Sequence, residues 1–523
     1  MIFFRKSMIL IHRYLGIALS LLFVVWFVSG IGMIYSRAMP RLTPELRLER
    51  MPALNLSQVK LTPAEAAERA GLDLAPGRAV LLTAMERPAY RFGQTTVFAD
   101  TGETMDEVDE SKALGIASRF MRLPEEKIHY AALVTEADQW TIGLRRQLPV
   151  HKLTVDDDAA TELYIVPQTG DIAVLTTRGS RGLAWVATIP HWLYFTALRT
   201  NDALWRQVVL WTSGLGSILA LVGIIVGIIQ LRRSKPRIPY AGWMRWHHIT
   251  GLVFGVLTLT WVFSGMLSME PWGWASAEGL SIGRQAFTGG PVELSQFPAM
   301  DAVGWNAAVP AERLKEIEFT RIQGDPYYVA RLSAEPGSTP VNGRVNQEYT
   351  VMGRTEPNTV LVSASPLQVR HEPFSTESLM NRLKSEVPDV PILESVMLSG
   401  YDSYYYSRDM AAPLPVLRVK FGDPDQTWVY IDPRRSQLVA QIHRLDRVER
   451  WIYNGFHSLD FAFWYYSPIW EWGVIGLSLG GVASSFIGMY VGFKRVWRGT
   501  KRTVRSLAGA PASTSNTRIP TGR

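Results

Sequence analysis

Five of the nine histidines carry a spacing that could do chemistry. His12-Arg13-Tyr14-Leu15-Gly16 and His247-His248-Ile249-Thr250-Gly251 each open a long uncharged stretch. The offsets from His12 and from His247 are the same: +4 to Gly, +14 to Trp, and +17 and +18 to Ser-Gly. The offsets select His247 and leave His248 as an extra ring about 100° further around a helix. A second correspondence, with one gap, relates His191, Trp205, Gly223 and Gly227 to His457, Trp470, Gly488 and Gly492. Ionisable groups at the ends of membrane spans are costly and point to function. A single interfacial histidine is ordinarily a snorkelling or hydrogen-bonded residue, and it is the repetition that favours ligation. A bis-histidine b-type haem needs two imidazoles on facing helices, an apolar slot and small residues beside it. The expectation is therefore two b haems, one between His12 and His247 and one between His191 and His457. Gly16 and Gly251 would allow close approach, and Arg13 and Arg245 would pair with haem propionates, since guanidinium and carboxylate match in bidentate geometry.

The rest of the composition narrows the chemistry. With no cysteine, the chain has no thiolate haem ligand, no cysteine-ligated cluster and no covalent haem attachment. His129, His151, His371 and His443 have no partner at metal-ligand spacing. Met33, Met39, Met266 and Met269 suit apolar packing better than ligation. The flanks His191-Trp192-Leu193-Tyr194-Phe195 and Phe461-Ala462-Phe463-Trp464-Tyr465-Tyr466 are aromatic enough to line a haem pocket, or to form an ordinary interfacial belt. Gly214, Gly216, Gly223 and Gly227 resemble small-x-x-x-small helix packing. No nucleophile triad, P-loop, H-E-x-x-H or dinucleotide fingerprint is present.

These residues must be positioned by membrane helices. A span needs about 20 apolar residues, and Tyr14 to Ser36, Gln207 to Leu231, His247 to Met269 and Gly473 to Phe493 all qualify, each lacking Asp, Glu, Lys and Arg. The first run is too long for a signal-peptide core and reads as a retained span. Residues 1–13, 232–246 and 494–523 are basic and contain no acid, which predicts cytoplasmic termini and a cytoplasmic middle loop. The net charge of +7 is thus a topology signal, and no nucleic-acid partner is expected.

The predicted fold class is a membrane all-α four-helix bundle of two duplicated helix pairs, with α+β extracytoplasmic domains. The divisions are 1–36 (first span), 37–204 (first periplasmic domain), 205–231 (second span), 232–246 (basic loop), 247–269 (third span), 270–468 (second periplasmic domain), 469–495 (fourth span) and 496–523 (basic, disordered tail). Thr62 before Pro63-Ala64-Glu65-Ala66-Ala67 reads as a helix start. Strand-turn-strand patterns fall at Val97 to Thr104, Leu163 to Leu175 and Trp428 to Ile442, around Asp100-Thr101-Gly102, Gln168-Thr169-Gly170 and Asp432-Pro433-Arg434.

The set of motifs resembles the PepSY-associated transmembrane proteins, which include ferric-siderophore reductases of bacterial inner membranes. The resemblance rests on His12-Arg13-Tyr14-Leu15-Gly16, its copy at His247, the histidines His191 and His457, and the Pro-Ala-Glu-Ala-Ala helix followed by an Asp-x-Thr-Gly-like turn. It covers nearly the whole chain except the tail. It implies PepSY-like periplasmic domains and a haem-dependent oxidoreductase of the inner membrane. Electrons would pass from an unknown cytoplasmic or membrane donor to a periplasmic acceptor such as a ferric siderophore. The extracytoplasmic segments are longer than in the simpler pattern, and His248 stands where the first copy has an arginine. Two rivals belong to other classes: a PepSY-domain sensor or regulator without haem, and a transporter of iron, haem or copper. Broken mid-membrane helices would favour transport, and none is evident.

Overall fold

The computed structural model describes residues 2–36, 38–233, 238–275, 279–335, 358–406, 412–461, 463–464 and 468–508. Expectations for Lys235 and Arg237 of the basic loop, for Ala462, Tyr465 and Tyr466 beside His457, and for the tail from 509 lie outside the described residues.

Among the described residues, four helices are long and apolar enough to cross a membrane. They are α1 (Ile2–Ser36), α2 (Asp202–Arg233), α3 (Gly242–Leu267) and α4 (Ile469–Ala508). In lipid every backbone N–H and C=O must be satisfied inside the segment, which these unbroken helices achieve. The chain divides into two compact units, the first holding Met1–Ile31, Arg206–Met269 and Pro468–Arg523. Glycines set its contacts. An added Cβ at Gly216 of α2 would lie 2.9 Å from Phe23 of α1, and one at Gly481 of α4 would lie 2.5 Å from Phe27 of α1. One at Gly480 of α4 would lie 2.2 Å from Phe254 of α3, and one at Gly227 of α2 would lie 2.9 Å from Leu252 of α3. Each helix therefore packs against two neighbours through glycine-lined contacts, the device by which apolar helices approach closely where lipid removes a hydrophobic driving force. Met266 likewise packs its sulfur against Gly214.

The helix α4 continues to residue 508, where the sequence predicts a disordered tail from 496. Lys494, Arg495, Arg498 and Lys501 are good helix formers and favour a helix C-terminus, so the end of the apolar run does not end the helix.

The second unit comprises Gly32–Trp205 and Glu270–Ser467. Its first segment carries β1 (Ala79–Ala84), β2 (Arg87–Phe92), β3 (Thr95–Phe98), β4 (Ile128–Val134), β5 (Val150–Val155), β6 (Glu162–Ile165) and β7 (Ile172–Thr176). Its second carries β8 (Leu314–Ile322), β9 (Asp325–Leu332), β10 (Thr359–Ala364), β11 (Leu367–Val369), β12 (Ile392–Leu398), β13 (Val416–Phe421), β14 (Trp428–Asp432) and β15 (Gln437–Ile442). Each segment contributes a helix, Glu110–Met121 or Thr376–Glu386, followed by an antiparallel meander, β4-β5-β6-β7 or β12-β13-β14-β15. Asp109 and Ser375 cap these helices from their side chains. The turns around Gly102 and Gly170 require positive φ, 81° and 68°, which glycine adopts without a Cβ clash. The helix Pro63–Arg69 begins with a capping box between Thr62 and Glu65.

The sequence reads 37–204 and 270–468 as two domains, and here the structure differs. The remaining strands form one sheet in the order β11-β10-β9-β8-β1-β2-β3. Its centre is the pairing of β1 with β8, with Leu81 opposite Ile317, so the two segments share a core built on Tyr90, Phe297, Trp305, Phe319 and Tyr328, all nearly fully buried. Burial contributes roughly 2 kcal/mol for each such side chain. Neither segment owns that core alone.

Candidate functional site

The structure brings the four repeat histidines together as two pairs. In the first unit, His12 of α1 and His247 of α3 face each other with ring centroids 6.1 Å apart and planes tilted by 30°. Each ring lies in a notch on a neighbouring helix. An added Cβ at Gly223 would lie 2.6 Å from His12 Cε1, and one at Gly488 would lie 2.9 Å from His247 Cε1. Only glycine leaves room for either imidazole. His12 Nδ1–H donates to the Leu219 carbonyl at 3.1 Å, one turn before Gly223. A carbonyl can only accept, so this bond places the proton on Nδ1 and leaves the Nε2 lone pair free for a metal. His247 is buried and faces the Ser484 backbone, one turn before Gly488, as His12 faces Leu219 one turn before Gly223. An added Cβ at Gly251 would meet nothing within 4 Å, and one at Gly16 only Leu219 Cδ1 at 3.7 Å, so there is space one turn beyond each histidine.

In the second unit, His191 and His457 face each other with ring centroids 6.3 Å apart and planes at 64°. Neither lies on a membrane helix. His191 sits on the short helix Thr188–Trp192, tied to the start of α2 by Trp205 Nε1–H donating to the Trp192 carbonyl at 2.9 Å. An added Cβ at Gly32 of α1 would lie 2.7 Å from Ala187 Cβ, and the Ser36 and Thr188 hydroxyls are 2.6 Å apart. His457 follows a π-helical turn, Arg450–Gly455, and stacks on Tyr453 at 4.9 Å. That turn is pinned: Arg450 donates to the carbonyls of Ser403 and Asp460 at 2.9 and 2.7 Å. Tyr406 donates to Asp460 at 2.8 Å, and Asn454 donates to Tyr406 at 3.0 Å. Burial pushes the Tyr406 hydroxyl's pKa up, with the Asp460 carboxylate adding to it, so it stays a protonated donor.

Two residues after each of these histidines stands a leucine in the left-handed region, Leu193 and Leu459, each with φ 54°. A non-glycine residue there costs about 1 kcal/mol or more and persists only where its surroundings enforce it. The matching His-Trp-Leu and His-Ser-Leu steps were open to view in the sequence, yet nothing local marks a leucine for this conformation.

Metal–imidazole bonds of about 2 Å on opposite sides of one metal put ring centroids roughly 6 Å apart. Both pairs have that separation, so each could hold a metal from two sides. Among the described residues no group of three or more His, Cys, Asp or Glu could hold a metal ion. His248 is apart from the pair, buried against Tyr240 with ring centroids 5.4 Å apart, and its buried Nε2 has no hydrogen-bond partner among the described residues. Arg13 is half-buried and Arg245 exposed. The aromatic flank is present in part: Trp192 and Tyr194 stack edge to face at 5.2 Å, and Phe461 and Phe463 stack at 5.7 Å.

Four long apolar helices joined to sheet-bearing segments define a multi-pass membrane protein with a helical part and an α+β part. Residues 9–495 match the family described as the PepSY-associated TM region, and the chain belongs to that family. No curated protein matches the sequence.

Proposed function

We propose that this protein is a di-haem b oxidoreductase of the bacterial inner membrane that passes electrons from the cytoplasmic side to a periplasmic acceptor, ferric iron in a siderophore complex. The observation that carries the reading is the meeting of all four repeat histidines as two pairs, at 6.1 and 6.3 Å. His12 and His247 would hold one haem, and His191 and His457 the other. Bound there, the haems would supply one-electron redox chemistry. The chain's own part is ligation, burial and tuning: the Leu219 carbonyl orients His12, the notches at Gly223 and Gly488 hold the rings, and Tyr453 steadies His457. Arg13 and Arg245 would neutralise propionates, leaving His248 outside the ligand set.

The basic segments favour cytoplasmic termini by the positive-inside rule. A shared sheet agrees with this, because strands that pair must lie on one side of the membrane. The equivalent contacts of Gly223 with His12 and Gly488 with His247 support a duplicated helix pair.

The test is the visible spectrum of the full chain in detergent, oxidised and dithionite-reduced, with a pyridine haemochrome count. Two b haems per chain support the proposal, and a colourless protein after haem-replete expression sinks it. Gly223→Ala separates ligation from mere packing. The added methyl meets the movable end of an imidazole, so the ring should shift while the fold loses only about 1 kcal/mol or less. The expected result is a changed spectrum and midpoint potential for one haem with a nearly unchanged melting transition.

A further inference from the structure

The second unit contains a cavity of about 500 Å³ at the end of helix Glu110–Met121, against the face of the seven-stranded sheet. Six cations line it: Arg47, Arg50, Arg91, Arg119, Arg122 and Lys315. Three have a carboxylate partner. Arg47 pairs with Glu316 at 2.7 Å, Arg119 with Glu86 at 3.5 Å, and Arg91 with Asp171. Among the described residues the other three have none. Arg50 donates to the carbonyls of Phe120 and Met121 at 3.4 and 3.3 Å, and its buried Nε has no partner among the described residues. Arg122 donates to the Glu49 carbonyl at 3.1 Å. Lys315 is only 8% exposed and, among the described residues, makes no hydrogen bond or ion pair.

Lys315 reaches this cavity through an irregularity in its strand. In β8, Ile317 and Phe319 face the core, so strict alternation would turn Leu314 away from it. The register with β9 slips between Leu314 and Glu316, a bulge that absorbs one residue. Leu314 then enters the core, and Lys315 lines the cavity. Bulges re-aim single side chains in this way and are frequent beside binding sites. Burial and the charge of Arg122 both pull the Lys315 ammonium below its usual pKa. The carbonyls at the end of helix Glu110–Met121 carry only partial charge and cannot balance three cations. Of the three, Lys315 is buried, Arg50 half-buried and Arg122 exposed at the rim; burying a charge without a partner is costly, and an anion beside Lys315 would remove that cost.

We propose that this cavity binds a small organic polycarboxylate, free or as a metal chelate, with Arg50, Arg122 and Lys315 as its carboxylate-binding groups. The volume exceeds what a lone inorganic anion fills, and Leu42, Met51, Leu82, Met105, Ile116 and Phe120 offer an apolar wall to a carbon skeleton. The site is independent of the haem reading, since binding requires no electron transfer.

The test is calorimetric titration of the full chain in detergent with citrate, with redox-inert gallium(III) citrate, and with uncharged triethyl citrate. Citrate or its gallium chelate should bind, more weakly as salt is raised, and triethyl citrate should not. Lys315→Met and Arg50→Gln should each weaken binding by about tenfold or more, the usual effect of removing a charge-assisted contact. Binding of the chelate alone would identify a metal complex as the ligand, and binding of citrate alone the free acid; either supports the site. As a second measurement, unliganded Lys315→Met should melt no lower than wild type, and citrate should raise the melting temperature of wild type but not of the variant. Absence of binding by both charged probes up to about 10 mM, unchanged affinity in both variants, or equal binding of triethyl citrate would overturn the proposal. Haem content is read separately by absorbance, so either reading can fail alone.

Discussion

Replacing His12 or His247 by alanine is expected to remove one and the same haem, while replacing His191 or His457 removes the other. The structure gives each of these histidines one histidine partner, at 6.1 Å in one pair and 6.3 Å in the other, so losses should follow the pairs. The haem count should fall from about two to about one in each single variant, since an axial ligand is the main hold the protein has on the iron. His12→Ala with His247→Ala should look like either alone, and His12→Ala with His191→Ala should be colourless. Such non-additivity within a pair and additivity between pairs is the signature of residues that act as a unit. His248→Ala should keep both haems. Pyridine haemochrome assays decide all of these, and a haem lost on replacing His248 but kept on replacing His247 would refute the assignment.

The largest expected effect on stability is at Glu316. Its side chain is 1% exposed and bridges Arg47 at 2.7 Å and Arg331 at 2.9 Å, with Arg78 at 3.6 Å. Burial alone would raise its pKa, but the surrounding charges of Arg47 and Arg331 outweigh burial and hold it below the usual glutamate value. Glu316→Gln takes the carboxylate from Arg47 and the deeper of two from Arg331 and Arg78, which keep Glu318 at 2.8 and 3.1 Å. Removing one member of a buried ion pair costs about 3–5 kcal/mol, and because Arg47 remains partly exposed the lower end is expected. Glu318→Gln, at a more exposed carboxylate, should cost under about 1 kcal/mol. Because the folded pKa is depressed, the Glu316 contribution is full above the unfolded value of about 4.3 and is lost as pH falls through the folded value. Denaturant unfolding of both variants at neutral and acid pH measures this; equal losses for the two glutamates would contradict the account.

What could be read in advance was whatever leaves a periodic or paired mark in the chain. Uncharged runs exposed the four membrane helices, fixed offsets picked out His12 and His247, and Thr62 with Pro63 announced a capped helix. Gly223 was legible as a helix contact and Gly488 as its counterpart in the repeat, but their role as notches for imidazole rings depends on which helix lies opposite. Lys315 had no signal, because a bulge is a property of two strands in register. Nor could the pairing of β1 with β8 be read, since strand partners remote in sequence share only a general apolar pattern. The two separate modules expected from the sequence were the natural reading of two similar segments, and a shared sheet replaces them.

That shared sheet also orders the birth of the protein. When the first loop emerges it holds β1 with one edge unpaired and a core lacking Trp305, Phe319 and Tyr328. It must wait while two further membrane helices are made and the second loop is delivered. An open strand edge beside exposed aromatic surface invites mispairing, so the nascent chain has a vulnerable interval that the finished molecule conceals. Partial translation products ending before β8 should therefore be preferred targets of proteolysis and holding chaperones.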